Sequence, residues 1–166
     1  VDLEKKNVLV LGSGGASNTA VALCLLKGAK SVNIVSRAGK LNYQNCYDLT
    51  ETEIIINATP VGMYPNNGSS PIDLAPFSKL EGVLDLIYNP ARTALLIEAE
   101  KRNIVAQNGL YMLVAQAKES AEWFTNTKIP DSKRGYRPMV ALFEDLEKAG
   151  FDQVPCGSNW VSEYRC

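Results

Sequence analysis

Asn7-Val8-Leu9-Val10-Leu11-Gly12-Ser13-Gly14-Gly15-Ala16-Ser17 is the stretch from which the architecture can be read. Asn7 to Leu11 carries a continuous apolar run, which suits a strand buried on both faces of a parallel sheet. The run breaks at glycines, and Ala16 to Lys27 continues with a helical pattern. Gly28 stands where a left-handed residue closes such a helix. A strand running through a glycine turn into a helix is the opening half of a βαβ unit.

The same alternation continues along the chain. Strands are expected over Ser31–Val35, Glu53–Asn57, Val83–Leu86 and Ile104–Ala106, and helices over Arg92–Arg102 and Gly109–Trp123. About twenty polar residues after Val35, rich in Asn and Tyr, lack the repeats of a long helix. Strands too hydrophobic for one wet face, alternating with helices, indicate an α/β fold. We expect a Rossmann-like, doubly wound, mainly parallel sheet with helices on both faces. That domain is expected over 1–129. Beyond it, Pro138 followed by MVALFEDLEKAG reads as one amphipathic helix with Pro near its start and Gly150 at its end. Residues 130–166 are therefore expected to be an appended helix and irregular tail.

Composition narrows the function. The 166 residues carry 17 basic and 18 acidic side chains, with 46% hydrophobic and 21% charged residues, so one globular domain fits. A net charge of −1 offers no footprint for nucleic acid, and no run of about 18 apolar residues exists to span a membrane. The N-terminal stretch lacks a signal-peptide cleavage pattern. Cys24, Cys46, Cys156 and Cys166 show no metal-ligand spacing, no metal site is expected, and Cys24 reads as a small core residue. A reducing, cytoplasmic setting is the expectation. The chain contains no histidine, which removes Ser-His and Cys-His nucleophiles.

The glycine loop points to an anionic ligand. Gly12 permits the sharp turn, Gly14 allows backbone N–H groups to approach a pyrophosphate, and the helix start supplies unpaired donors. Ser17 replaces the third glycine of G-x-G-x-x-G. A turn with no ligand accounts for the same glycines, but the strand before and the helix after favour a dinucleotide. An NAD site offers Asp or Glu about twenty residues on. This chain has Ser36-Arg37 with Lys40 just beyond, which suits the 2′-phosphate of NADP; a solvated surface arginine is the alternative.

Three further segments make the sequence recognisable: Asn57-Ala58-Thr59-Pro60-Val61-Gly62-Met63, Asp85-Leu86-Ile87-Tyr88-Asn89-Pro90, and Asn108-Gly109-Leu110-Tyr111-Met112-Leu113-Val114-Ala115-Gln116-Ala117. With them, about Leu3 to Ile129 resembles the C-terminal NADP-binding domain of shikimate dehydrogenase. The resemblance implies that Gly12, Ser13, Gly14, Gly15 and Ala16 form the pyrophosphate loop. It implies that Ser36 and Arg37 meet the ribose phosphate, although Ser36-Arg37-Ala38 departs from the family's Asn-Arg-Thr. Thr59, Pro60 and Val61 would lie along the cofactor, and Leu86, Gly109 and Met112 beside the nicotinamide. Tyr88 and Gln116 would touch the hydroxy acid.

The resemblance also implies NADPH-dependent reduction of 3-dehydroshikimate to shikimate. In the family the proton is handled by a Lys-Asp pair on an N-terminal substrate domain. No catalytic residue is expected here, and shikimate binding would require that missing part. Read without the resemblance, Met112 and Leu113 suit a helix core, Tyr88 a packed loop aromatic, Gln116 a solvated helix position, and Asn57 a cap at a strand end. Other functions stay open: a non-catalytic dinucleotide-binding or interaction module, the same domain of a quinate/shikimate dehydrogenase, and self-association through exposed surface or the tail.

Overall fold

The computed structural model describes residues 1–128, which form β1 (Asn7–Leu11), α1 (Gly15–Leu26), β2 (Ser31–Val35), β3 (Ile54–Asn57), β4 (Gly82–Asp85), α2 (Ala94–Lys101), β5 (Val105–Gln107) and α3 (Leu110–Thr125). Every strand expected over this stretch forms, with small shifts at the ends. The helix expected from Arg92 begins at Ala94 because Thr93 takes the capping position, with extended backbone and its hydroxyl accepting from Leu96 N–H. Gly28 takes its expected left-handed turn after α1, at φ +76°. The helix and tail expected over 130–166 lie outside the described residues.

The strands run parallel in the order β2-β1-β3-β4-β5. Register levels their C-terminal ends, with Leu11 opposite both Val35 and Asn57, and Asn57 opposite Asp85. The loops leaving β1, β2, β3 and β4 therefore emerge along one rim.

Alternation along the strands divides the apolar side chains between two faces. Val8, Val10, Ile54 and Ile56 meet Ala20 and Cys24 of α1, so Cys24 is the core residue it was expected to be. Ser17, Ala20 and Cys24 form the buried stripe of that helix, and their small size lets it lie close to the sheet. On the other face, Leu9, Leu11, Ile55 and Val83 meet Leu95, Leu96 and Ala99 of α2. Helices thus cover both faces, in the expected Rossmann-like arrangement.

Two crossovers depart from regular winding. Between β2 and β3 the chain makes only a short 3-10 turn at Cys46–Asp48. Between β3 and β4 no regular element forms, and Ile72, Leu74, Phe77 and Leu80 fill the core directly. At the opposite rim Lys6 bridges Glu53 at 3.1 Å and Glu81 at 2.6 Å, tying together the starts of β1, β3 and β4.

Candidate functional site

The winding reverses between β1 and β3, and in open parallel sheets ligands bind beyond the strand ends at such a reversal. A groove of about 510 Å³ opens there. Three segments that are remote in sequence line it: Gly12, Ser13 and Gly14 after β1; Ser36 and Arg37 after β2; and Ala58, Thr59, Pro60 and Val61 after β3. The sheet holds them level, because Gly12 N–H donates to Val35 O at 2.8 Å and Ala58 N–H to Leu11 O at 2.9 Å.

Each glycine of the loop has its own reason. Gly12 has φ +107°, and a Cβ there would sit 3.0 Å from Ala58 O and 3.2 Å from Thr59 Cγ2. Gly14 and Gly15 would meet nothing within 4 Å, so the space in front of them is open. Gly14 caps α1 with no side-chain hydrogen bond, and the first turn has no acidic residue. The donors and dipole at this helix start thus meet no competing anion, and the loop fits a pyrophosphate. Ser17 is fully buried, and its hydroxyl donates to Gly12 O at 2.7 Å, closing the turn that a third glycine would otherwise occupy.

Beyond β2, the chain turns tightly at Gly39, where a Cβ would lie 2.6 Å from Ser36 Oγ. Arg37 is exposed and lines the groove, whereas Lys40 does not. No carboxylate lines it among the described residues. The charge of the lining is therefore that of a site for an anion.

Below the groove lies a buried polar network. Asn57 Nδ2 donates to Asp85 Oδ1 at 3.0 Å, while Asn57 Oδ1 accepts from Thr59 N–H and Oγ1 at 3.0 and 2.7 Å. Thr59 Oγ1 in turn accepts from Val61 N–H at 3.2 Å. Asp85 also accepts from Ile87 N–H at 3.1 Å and from the Thr93 hydroxyl at 2.7 Å. Burial pushes the Asp85 carboxyl above its ordinary value, and these hydrogen bonds oppose the shift. Asn57 is thus the strand-end cap that its position suggested.

The other expected site residues lie outside the groove lining. Leu86 and Gly109 come together at the ends of β4 and β5: a Cβ on Gly109 would lie 2.1 Å from Leu86 O. Gly109 N–H donates to Ile87 O at 2.9 Å. Tyr88, Met112 and Gln116 are exposed. Met112 is therefore not a core residue; Leu110 and Val114 take that role, and Met112 and Gln116 share an open face of α3. Gly15 and Ala16 stand exposed at the start of α1.

Tyr43, Ser70 and Pro71 line the groove without having been anticipated. For Tyr43 the one sequence signal was the Asn- and Tyr-rich stretch after β2; Ser70 and Pro71 come from the β3–β4 crossover, which carried none.

Comparison with known proteins agrees with this layout. No family model matches the chain. It is 42% identical to the shikimate dehydrogenase (NADP(+)) of Caldicellulosiruptor bescii, over 89% of this chain and 56% of that protein. The chorismate mutase/shikimate 5-dehydrogenase fusion protein from Clostridium acetobutylicum superposes with a TM-score of 0.77 at 34% identity, over 90% of this chain and 57% of that one. A shikimate dehydrogenase solved in complex with NADP+ gives 0.64 at 29% identity, over 92% of this chain and 56% of that one. The sequence alignment with the Caldicellulosiruptor bescii protein takes in more of the chain than 3–129, so the sequence similarity reaches past the recognised motifs. In sequence and in fold the chain is a homologue of the shikimate dehydrogenases, and it spans about half the length of the curated relatives it matches.

Proposed function

We propose that this chain is the NADP(H)-binding part of a shikimate dehydrogenase, an oxidoreductase interconverting 3-dehydroshikimate and shikimate. The observation that carries the reading is the groove at the β1–β3 reversal, which combines an open glycine-rich helix start with Arg37 and no lining carboxylate. The relatives, shikimate dehydrogenases (NADP(+)), and the NADP+ complex of one of them support it.

In this reading Gly12, Ser13, Gly14, Gly15 and Ala16 hold the pyrophosphate through backbone N–H groups. Ser36 and Arg37 receive the 2′-phosphate. Thr59, Pro60 and Val61 run along the cofactor on a strip braced by Asn57 and Asp85. Leu86, Gly109 and Met112 flank the nicotinamide, while the Tyr88 hydroxyl and Gln116 amide bind the hydroxy acid. Bound there, the cofactor supplies the hydride. No lysine lines the groove among the described residues, and we assign the general acid to a substrate-binding part, not to this chain. A reducing, cytoplasmic setting belongs to the same reading, and the buried thiols of Cys24 and Cys46 are compatible with it.

Calorimetric titration with NADP+ and NAD+ tests the reading. NADP+ should bind more tightly. Arg37→Ala should weaken NADP+ by about tenfold to a hundredfold, the value of one charge-assisted hydrogen bond, and leave NAD+ nearly unchanged. Equal affinities in the unsubstituted chain would overturn the assignment.

A further inference from the structure

The polar stretch after β2 is a loop tied by its own hydrogen bonds, and it places one aromatic side chain in the groove. Asn42 N–H donates to Asn45 Oδ1 at 2.7 Å, while Asn42 Oδ1 accepts from Gln44 N–H at 2.9 Å and Asn45 N–H at 3.3 Å. Asn45 Nδ2 donates to Lys40 O at 2.9 Å. The two ends of the loop are anchored as well. Ser36 N–H donates to Leu41 O at 3.1 Å, Cys46 N–H donates to Asn42 O at 3.0 Å, and the Cys46 side chain is fully buried. Between these ties stands Tyr43, half-buried against the core and lining the groove together with Arg37.

Burial raises the Tyr43 phenol above its ordinary value, and the nearby Arg37 charge opposes the shift. The hydroxyl therefore stays protonated at neutral pH and is able to donate. Among the described residues no group hydrogen-bonds to it. A phenol donor without a partner beside a guanidinium, in a groove with no lining carboxylate, is suited to a phosphate monoester. Such a group offers several acceptor oxygens and two negative charges to share between them.

The geometry points to Tyr43 as a specificity-determining residue for the 2′-phosphate end of the dinucleotide. Its hydroxyl donates to the phosphate that Arg37 pairs with, and its ring walls the groove. The assignment rests on the dinucleotide reading given above.

Tyr43→Phe keeps the ring and removes the donor. In the full 166-residue chain, NADP+, NAD+, adenosine 2′,5′-bisphosphate and 5′-AMP are titrated by calorimetry, with thermal unfolding followed in parallel. The substitution should weaken NADP+ and the bisphosphate by about tenfold, with NAD+, 5′-AMP and the melting temperature nearly unchanged. Equal weakening of all four ligands, or of none, overturns the assignment. If the unsubstituted chain prefers NADP+ and Tyr43→Phe keeps that preference, only the role of Tyr43 falls. If the unsubstituted chain shows no preference, the reading beneath it falls too.

Discussion

Gly109 shows how a single residue can be fixed by a distant part of the chain. Its missing side chain makes room for the carbonyl of Leu86, which would lie 2.1 Å from an added Cβ. A backbone carbonyl at a strand end has little freedom to move aside. Gly109→Ala should therefore destabilise the fold by about 1–3 kcal/mol or more, read as a lowered midpoint in urea unfolding. An unchanged midpoint would mean that the two strand ends separate easily. Ser17 is the opposite case, since it stands where a glycine pattern leads one to expect glycine. Its hydroxyl is satisfied inside the turn, so the departure from G-x-G-x-x-G leaves the loop intact. Gly12 was legible because its turn is local. Gly109 was recognisable only by resemblance, because its neighbour lies on another strand.

At the scale of elements, one buried carboxylate connects a strand, a loop and a helix. Asp85 ends β4, receives Asn57 from β3, and holds the Thr93 hydroxyl that caps α2. Thr93→Ala removes both the cap and that contact, and should lower stability by about 1–2 kcal/mol in denaturant unfolding. The pH dependence follows from the raised Asp85 carboxyl. A carboxyl raised above its unfolded value favours folding most when protonated, below the ordinary value of about 3.9. That advantage is lost as pH rises through the raised folded value. Asp85→Asn cannot titrate. The stability of the parent chain relative to Asp85→Asn should therefore increase as pH falls from neutral toward about 4. A difference that stays flat or shrinks on acidification would contradict the direction of the shift.

Across the whole molecule, the Lys6 ion pairs and the ligand-facing features occupy opposite rims of the sheet. Lys6, Glu53 and Glu81 clamp one rim, while the groove, the Leu86–Gly109 contact and the start of α1 lie at the other. The relatives are longer, with only 56% of the Caldicellulosiruptor bescii protein matched. The proposed division of labour predicts that the chain binds NADP+ without oxidising shikimate. A separately supplied substrate-binding part carrying a Lys-Asp pair should restore NADPH formation, followed by absorbance. Turnover by this chain alone would place the general acid within it.

Within residues 1–128, periodicity and turn chemistry were enough to specify the strands, the helices and the glycine loop. These depend on contacts between near neighbours in the chain, and apolar runs broken by Gly12 and Gly28 carry that information locally. The lack of a long helix after β2 was legible, but the packing of the β3–β4 crossover was not, because Ile72, Leu74, Phe77 and Leu80 have no regular spacing and find their places only against the finished sheet. Nor was the role of Tyr43: an Asn-rich stretch reads as surface until its reciprocal hydrogen bonds are seen beside Arg37. Sequence alone determined that a strand leads through Gly12 and Gly14 into a helix, with an arginine after the next strand. Only the tertiary structure brought Arg37, Tyr43 and Thr59 into one groove, because strand order and register are set by burial over the whole sheet.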